Sequence, residues 1–316
     1  MNIGRLVGAL VPVYFVLALG YFAGKRNAFD IDQAAGLSKL ALSFALPAFV
    51  FVSMTDMPKE LLLQQGRLVL ALILSHAGLF LIAWFALEFV KSLHGTPAII
   101  YALMLSTNGT PVFGPAVLRP ILGATSAETV GLMALAINLT VPPAVILLEM
   151  DAAKNQQAAT GPSQPSTIRT GFNAGLKSPL LWAPILGIAV ALAGVHLPAV
   201  VAGCFHLIGS ATSGVAVFTL GLVMAAHPVR LSLGIFEGTL ARITVQSAVL
   251  FGLLRFLHVI SPFARESLVC CSFPLAPAVP LFAARYKSSE AESASMLLFS
   301  TLALAVTVPA MLWLSR

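Results

Sequence analysis

Long apolar runs separated by short polar breaks form the main pattern of this 316-residue chain. A helix that crosses a bilayer needs about 20 predominantly apolar residues. Ten runs approach that length, at roughly 4–24, 36–55, 67–90, 97–122, 126–149, 179–194, 201–226, 231–258, 264–285 and 291–314. The first run is long enough to span and precedes no clean cleavage site, which favours a membrane helix over a signal peptide. The pattern predicts an all-α integral membrane protein with ten transmembrane helices.

A polar segment at 151–177 divides the chain into two halves, 1–150 and 178–316, and its Gln, Ser, Gly and Pro content is typical of a solvated linker. The halves resemble each other when the chain is shifted by 167 residues. That shift pairs Pro12 with Pro179 and aligns "LTVP" (139–142) with "VTVP" (306–309). Because each half holds an odd number of predicted spans, the second must enter the membrane from the opposite side. We therefore expect two inverted five-helix repeats.

The distribution of basic residues predicts the orientation. With the N-terminus outside, ten Lys and Arg residues fall on the cytoplasmic side, including Lys25, Arg26 and Lys154, and five fall outside. Basic residues accumulate in cytoplasmic loops. Both termini are therefore expected outside, with the 151–177 linker in the cytoplasm.

Composition places the chain in lipid. It is 58% hydrophobic and 9% charged, with a mean hydropathy of +0.93, whereas soluble domains carry about 25% charged residues. The net charge of +6 follows from the cytoplasmic loops, so no nucleic-acid partner is expected. The three cysteines lie in apolar stretches without metal-ligand or paired spacing.

Two predicted spans are interrupted in their middle. The fourth contains "STNGTPVFGPAVLRPILG" (106–123), and the ninth contains "PLAPAVP" (274–280). The residues of interest at these breaks are Asn108, Gly109, Thr110, Pro111, Gly114, Pro274, Pro277 and Pro280. Free backbone groups at membrane depth are tolerated where they line a cavity or are packed in protein, and half-helix N-termini suit an anion. Simple kinks are the alternative, but two breaks in corresponding repeat positions favour a binding site, as in secondary transporters.

Four stretches together resemble the auxin efflux carrier family. They are "LALSFALPAFVFVSM" (40–54), "NGTPVFGPAVLRPILG" (108–123), "SPLLWAPILGIAVALAGVHLP" (178–198) and "PLFAARYKSSEAESASMLLFSTLALAVTVPAMLWL" (280–314). The resemblance covers essentially the whole chain. It implies a ten-helix, two-repeat fold similar to sodium/bile-acid symporters and sodium/proton antiporters, in which the broken fourth and ninth helices cross at the substrate.

The same resemblance implies roles for individual residues. Asn108 matches the family's crossover asparagine, whereas "PLAPAVP" lacks the polar residue often found at the ninth-helix crossover. The short linker is similar to the bacterial branch, which implies a bacterial cytoplasmic membrane. Within that branch the "PLAPAVPLFAARY" and "ILLEM" stretches look most like malonate carriers, and malate is the related alternative.

Several other polar residues fall inside predicted spans. Asn138 is interpreted either as an interhelical hydrogen-bonding residue or as a site residue, and Ser43 as a packing residue or a ligand contact. An arginine at the depth of Arg242 is costly and marks function by default, although it could pair with Glu237. His76 could relay protons or serve packing. Arg119, beyond the break, is explained by snorkelling.

The expected function is secondary transport of a small organic carboxylate, with malonate or malate first. A sodium-coupled symporter of a larger, bile-acid-like anion or an exporter of an auxin-like aromatic acid is the alternative. An enzyme is disfavoured because the six histidines show no HExxH-type spacing. No cofactor is expected, and H⁺ and Na⁺ both stay open as coupling ions. The expected partners are the anion, the bilayer and, as one option, a second copy in a homodimer.

Overall fold

The computed structural model of the protein describes residues 3–90, 93–122, 126–160, 177, 179–195, 197–226, 232–259 and 262–314. The described chain is helical and contains no strand. Its α-helices are α1 Ile3–Lys25, α2 Ile31–Leu40, α3 Leu46–Thr55, α4 Lys59–Gln64, α5 Gly66–Ile73, α6 Leu79–Phe85, α7 Thr96–Ser106, α8 Thr110–Leu122, α9 Ser126–Thr160, α10 Pro179–Leu192, α11 Ala199–Ala226, α12 Leu233–Phe256, α13 Pro262–Cys270, α14 Ala278–Arg285 and α15 Glu290–Leu314.

Four helical segments are individually long and apolar enough to cross a membrane, by length and composition within the described residues. They are Gly66–Phe89, Thr129–Asn155, Leu233–Phe256 and Glu290–Leu314. In lipid every backbone polar group must be satisfied within the protein, and helices do so internally. The chain is therefore an all-α multi-pass membrane protein.

Short π-helical turns join some of these helices into longer, bent ones. Ala41–Ala45 connects α2 to α3, and Leu74–Gly78 connects α5 to α6. The first lies just before Pro47, whose ring nitrogen cannot donate to a carbonyl in the preceding turn. The second contains His76, which is fully buried. π-Turns inside α-helices are frequent at functional sites because they redirect side chains.

The interrupted fourth and ninth runs are each two helices. The fourth is α7 followed by α8, and the ninth is α13 followed by α14. The fifth run differs from its expected end at 149, since α9 continues to Thr160. Residues 161–176 of the expected linker lie outside the described residues.

The described helices pack in two sets that also contact each other, as α1 does with α8 and α10 with α9. In the first, α1 packs along α11, and α3 packs against α10 and α11. The α1–α11 contact is backbone against backbone: a Cβ on Gly20 would lie 2.1 Å from the carbonyl oxygen of Phe218. The second set contains α5 to α9 and α12 to α15. Small residues allow this close approach where lipid provides no hydrophobic drive between helices.

Buried apolar side chains form two clusters, and each contains one half of each broken helix. One cluster holds residues of α7 and α14, such as Ile100 and Phe282. The other holds residues of α8 and α13, such as Phe113 and Val269. The polar breaks therefore lie between two apolar layers.

Candidate functional site at the meeting of two broken helices

The two breaks touch through their backbones. The N–H of Gly109, between α7 and α8, donates to the carbonyl of Pro274, between α13 and α14, at 2.7 Å. Gly109 has no room for a side chain, because a Cβ there would lie 2.5 Å from the ring of Phe113 and 3.3 Å from the carbonyl oxygen of Leu275. Pro111, in the first turn of α8, lacks an N–H at a helix position that needs none. The sequence thus both ends the helices and permits their contact.

Asn108 is the fully buried polar residue at the centre of the first break. Its Oδ1 accepts from the backbone N–H of Thr110 at 3.0 Å and from the Thr110 hydroxyl at 2.5 Å. Its Nδ2 lies 3.3 Å from Nε2 of His76. A short polar side chain that bonds a backbone N–H two residues on stabilises such a turn. These contacts fix the orientation of the amide.

The His76 ring adopts the tautomer that complements this amide. Its Nδ1 lies 2.9 Å from the carbonyl oxygen of Leu72, which can only accept. Nδ1 therefore carries the proton, and neutral Nε2 accepts from Asn108. This contact uses one of the two N–H groups of the Asn108 amide.

A cavity of about 70 Å³ opens beside the crossing point. Its polar wall consists of Thr107, Asn108 and Asn138, and the Nδ2 of Asn138 has no hydrogen-bond partner in the described residues. The rest is largely apolar and comes from both helix sets: Ala41, Leu46, Phe49, Val50, Leu103, Gly109, Pro111, Ile137, Val141, Ala276, Pro277, Ala278, Val279, Leu281 and Phe282. No charged side chain of the described residues lines it. The cavity pairs amide donors with an apolar wall.

Two side chains of α12 support the breaks. The guanidinium of Arg242 donates from Nη2 to the carbonyl of Phe273, and Nε2 of Gln246 donates to the carbonyl of Ser106 at 2.9 Å. Both residues are fully buried. Arg242 bonds this carbonyl rather than Glu237, whose side chain is exposed. One helix therefore contacts both broken helices.

The structure brings together some of the sequence-predicted residues and separates others. Asn108, Gly109, Pro111, Asn138 and Pro277 line the cavity. Thr110 is buried and bonds Asn108, and Gly114 packs tightly against Val130. Pro274 contributes its carbonyl to Gly109. Pro280 and Ser43 lie outside the cavity lining, buried in α14 and half-buried in the π-turn respectively.

Sequence reasoning missed two contributors to the site, Gln246 and Thr107, and one buried carboxylate outside the cavity lining, Glu266. Gln246 could have been found, because it lies one helical turn after Arg242 on the same face. Thr107 adjoins Asn108 but carries no distinguishing pattern. Glu266, in α13, is buried and accepts a hydrogen bond from Thr129. Within the described chain no group of three or more His, Cys, Asp or Glu side chains could hold a metal ion.

A second polar cluster joins the start of α7 and the end of α14 to two carboxylates within α9. The Asp151 carboxylate accepts from the N–H and the hydroxyl of Thr96, at 2.7 and 2.6 Å, and so caps α7. Glu149 accepts from Tyr286 at 2.8 Å and from Arg285 at 3.0 Å. Burial raises the pKa of the Tyr286 phenol, so it stays protonated as a donor.

An all-helical membrane protein whose two broken helices meet at an internal cavity has the architecture of a transport protein. The profile of the membrane transport protein family, the auxin efflux carrier family, matches residues 5–312. The chain therefore belongs to this family.

Among its relatives are proteins named uncharacterized transporter YfdV, from Escherichia coli (strain K12) and Shigella flexneri. Each is 31% identical over 314 residues, which cover 98% of this chain and 98% of the relative. The lysosomal cholesterol signaling protein of Mus musculus is 23% identical over 331 residues, which cover 99% of this chain and 38% of that longer protein. The chain is thus a transporter relative along nearly its whole length.

Proposed function

We propose that this protein is a secondary active transporter that moves a small organic carboxylate anion across the cytoplasmic membrane of a bacterium. The observation that carries the proposal is the cavity where the two helix breaks touch, with Asn108 and Asn138 on its wall. The proposed topology is ten spans in two inverted repeats, 1–150 and 178–316, with both termini outside and a cytoplasmic linker. The touching breaks and the matching 167-residue register support it.

The proposed binding mode uses neutral donors. The second N–H of the Asn108 amide and the unpartnered Nδ2 of Asn138 would donate to one carboxylate. The N-terminus of α14 also borders the cavity through Ala278 and Val279, and a helix N-terminus carries partial positive charge. Hydrogen bonds to an ionised acceptor contribute about 1.5–3 kcal/mol each, so two such donors can orient an anion without a cationic side chain.

Alternating access would follow from movement of the two helix sets against each other. The cavity lies between them, because the π-turn and α3 supply Ala41, Phe49 and Val50 while the broken helices supply much of the remaining wall. A sliding interface would open the cavity first to one side and then to the other, as in transporters with a fixed site between repeats. The coupling ion, H⁺ or Na⁺, and a homodimeric assembly belong to the same proposal as options.

Malonate and malate are the proposed substrates, supported by the resemblance to bacterial malonate carriers. The cavity lining favours a second candidate, an auxin-like aromatic acid with a single carboxylate. Three of the lining side chains, Thr107, Asn108 and Asn138, are polar and the others are apolar, and an ionised group against an apolar wall loses its hydration without compensation. A second carboxylate would therefore need waters or a shifted site.

A counterflow assay tests the proposal. Purified protein in liposomes preloaded with malonate, malate or indole-acetate should accumulate the same labelled acid from outside, while protein-free liposomes should not. Cross-exchange among the three acids then ranks them. If folded protein exchanges none of these carboxylates, the carrier proposal is wrong.

A further inference from the structure

Helix α12 presents two buried side chains, one helical turn apart, to the two helix breaks. Arg242 donates to the carbonyl of Phe273 in the second break, and Gln246 donates to the carbonyl of Ser106 at the end of α7. The Asn108 side chain and the cavity belong to the same crossing. α12 therefore donates hydrogen bonds to both broken helices, close to the points where their helical hydrogen bonding is interrupted.

The groups that Arg242 and Gln246 contact carry partial negative charge. Ser106 is the last residue of α7, and Phe273 lies in the turn that follows the end of α13 at Cys270. Carbonyls at or just beyond two helix C-termini therefore accept from α12. Each C-terminus is equivalent to about half a negative charge. In transporters with broken helices, such carbonyls coordinate the coupling cation. A cation at this place stabilises the crossing.

Arg242 is itself a buried cation without an anionic partner. Its side chain is fully buried within α12, and its Nε and Nη1 have no hydrogen-bond partner in the described chain. No salt bridge joins it to a described carboxylate. A buried charge is stable only when it is compensated. The carbonyl of Phe273 and the helix ends behind it supply that compensation.

We propose that Arg242 is a fixed internal cation that takes the place of a bound sodium ion at the crossing, so that transport by this protein does not require sodium. This inference rests on the proposed transport function. Arg242 acts as a positioning residue: its charge holds the C-terminal ends of the broken helices, while the cavity lies on the side of Asn108 and Asn138. A sodium ion at the same carbonyls would face the guanidinium and be repelled.

The first test uses the wild-type protein. Counterflow of the labelled acid that it exchanges is measured with sodium chloride and then with choline chloride on both sides of the membrane. Equal initial rates are expected. The melting temperature of the purified protein is also expected to be the same in the two salts. A sodium stimulation of about fivefold or more, the lower end of usual coupling between two ligands, overturns the inference.

Two variants separate charge from hydrogen bonding. Arg242→Gln keeps an N–H donor for the Phe273 carbonyl but removes the charge, whereas Arg242→Lys keeps the charge. In choline chloride the Gln variant should be at least about tenfold slower than wild type, and the Lys variant should be faster than the Gln variant. The matched control is Arg255→Gln on the same helix, where the arginine is exposed and lies over the Phe251 ring at 5.4 Å. It should transport normally.

The outcomes are distinguishable. A Gln variant as fast as wild type in choline chloride shows that the charge is dispensable and overturns the inference. If the Gln variant does not fold, the two wild-type measurements still decide. If wild-type protein exchanges no carboxylate, the proposed function fails, while sodium-dependent melting of the same protein still tests the role of Arg242.

Discussion

Two substitutions of Asn108 separate a substrate-binding role from a structural one. Asn108→Asp keeps an oxygen that can accept from the Thr110 N–H and hydroxyl, which lie at 3.0 and 2.5 Å. It removes the amide donor and adds a negative charge at the cavity wall. Asn108→Ala removes both contacts with Thr110 and the donor together. A structural role predicts that Asp is the milder change, whereas a role in holding a carboxylate predicts that Asp is the harsher one.

The negative charge added by Asn108→Asp is expected to cost more binding free energy than the hydrogen bond lost in Asn108→Ala. Two negative charges about 4 Å apart repel by about 4 kcal/mol at an effective dielectric constant of about 20, which is about a thousandfold in affinity. Asn108→Ala loses one hydrogen bond to an ionised group, about 1.5–3 kcal/mol, which is roughly tenfold to a hundredfold. It also loses the bond to the first turn of α8, about 1 kcal/mol of stability.

Counterflow in proteoliposomes measures the ranking. Initial rates, normalised to folded protein from size-exclusion profiles, should fall in the order wild type, Asn108→Ala, Asn108→Asp. The matched control is Asn155→Asp, because Asn155 is exposed on the extension of α9 and contacts Asp151 at 3.4 Å rather than the cavity. An Asp variant that transports faster than the Ala variant would refute the assignment of Asn108 to the substrate.

Two further substitutions test packing and titration. Gly20→Ala places a Cβ 2.1 Å from the Phe218 carbonyl oxygen and should lower the free energy of unfolding by about 1–3 kcal/mol, and with it the melting temperature. Gly36→Ala is the control, because open space surrounds Gly36, and it should leave the melting temperature unchanged. Equal melting temperatures for the two variants would contradict the close α1–α11 contact. Burial raises the pKa of Tyr286, so the stability from its neutral phenol, which donates to Glu149, is full below about pH 10 and is lost as the pH rises through the folded-state pKa. The melting-temperature difference between wild type and Tyr286→Phe should therefore shrink in alkali, and a difference that is constant across that range would count against this bond.

Sequence reasoning predicted the helices and the two interruptions because both depend on local properties. Apolar runs of bilayer length specify helices, and the prolines at 111, 274 and 277 limit where helices continue. Asn108 was identifiable for the same reason, as a buried-type amide directly before a proline break. The extension of α9 to Thr160 was missed, since its polar residues resemble a linker although Asp151 caps α7.

Contacts between residues far apart in the sequence could not be predicted from local properties. The sequence suggested Glu237 as a partner of Arg242, five residues away, but the structure joins Arg242 to Phe273 and Gln246 to Ser106. Pro280 is a proline like Pro277, and Ser43 is a small hydroxyl residue like Thr107, yet neither lines the cavity. How deep a side chain lies in a helix bundle, and which neighbour it faces, depend on how the helices pack. The hydrophobic periodicity of one helix does not encode that packing.

The sequence by itself determined that this protein is a helical membrane protein and that two of its helices are interrupted. Hydropathy and the position of proline are local properties of a segment, so they can be read without the tertiary structure. Only the tertiary structure decided that the breaks touch through Gly109 and Pro274, that His76 orients the Asn108 amide, and that α12 contacts both breaks. These contacts join residues up to 165 positions apart (Gly109 to Pro274). Their geometry is fixed by packing between two apolar layers, a property of the whole bundle rather than of any one segment.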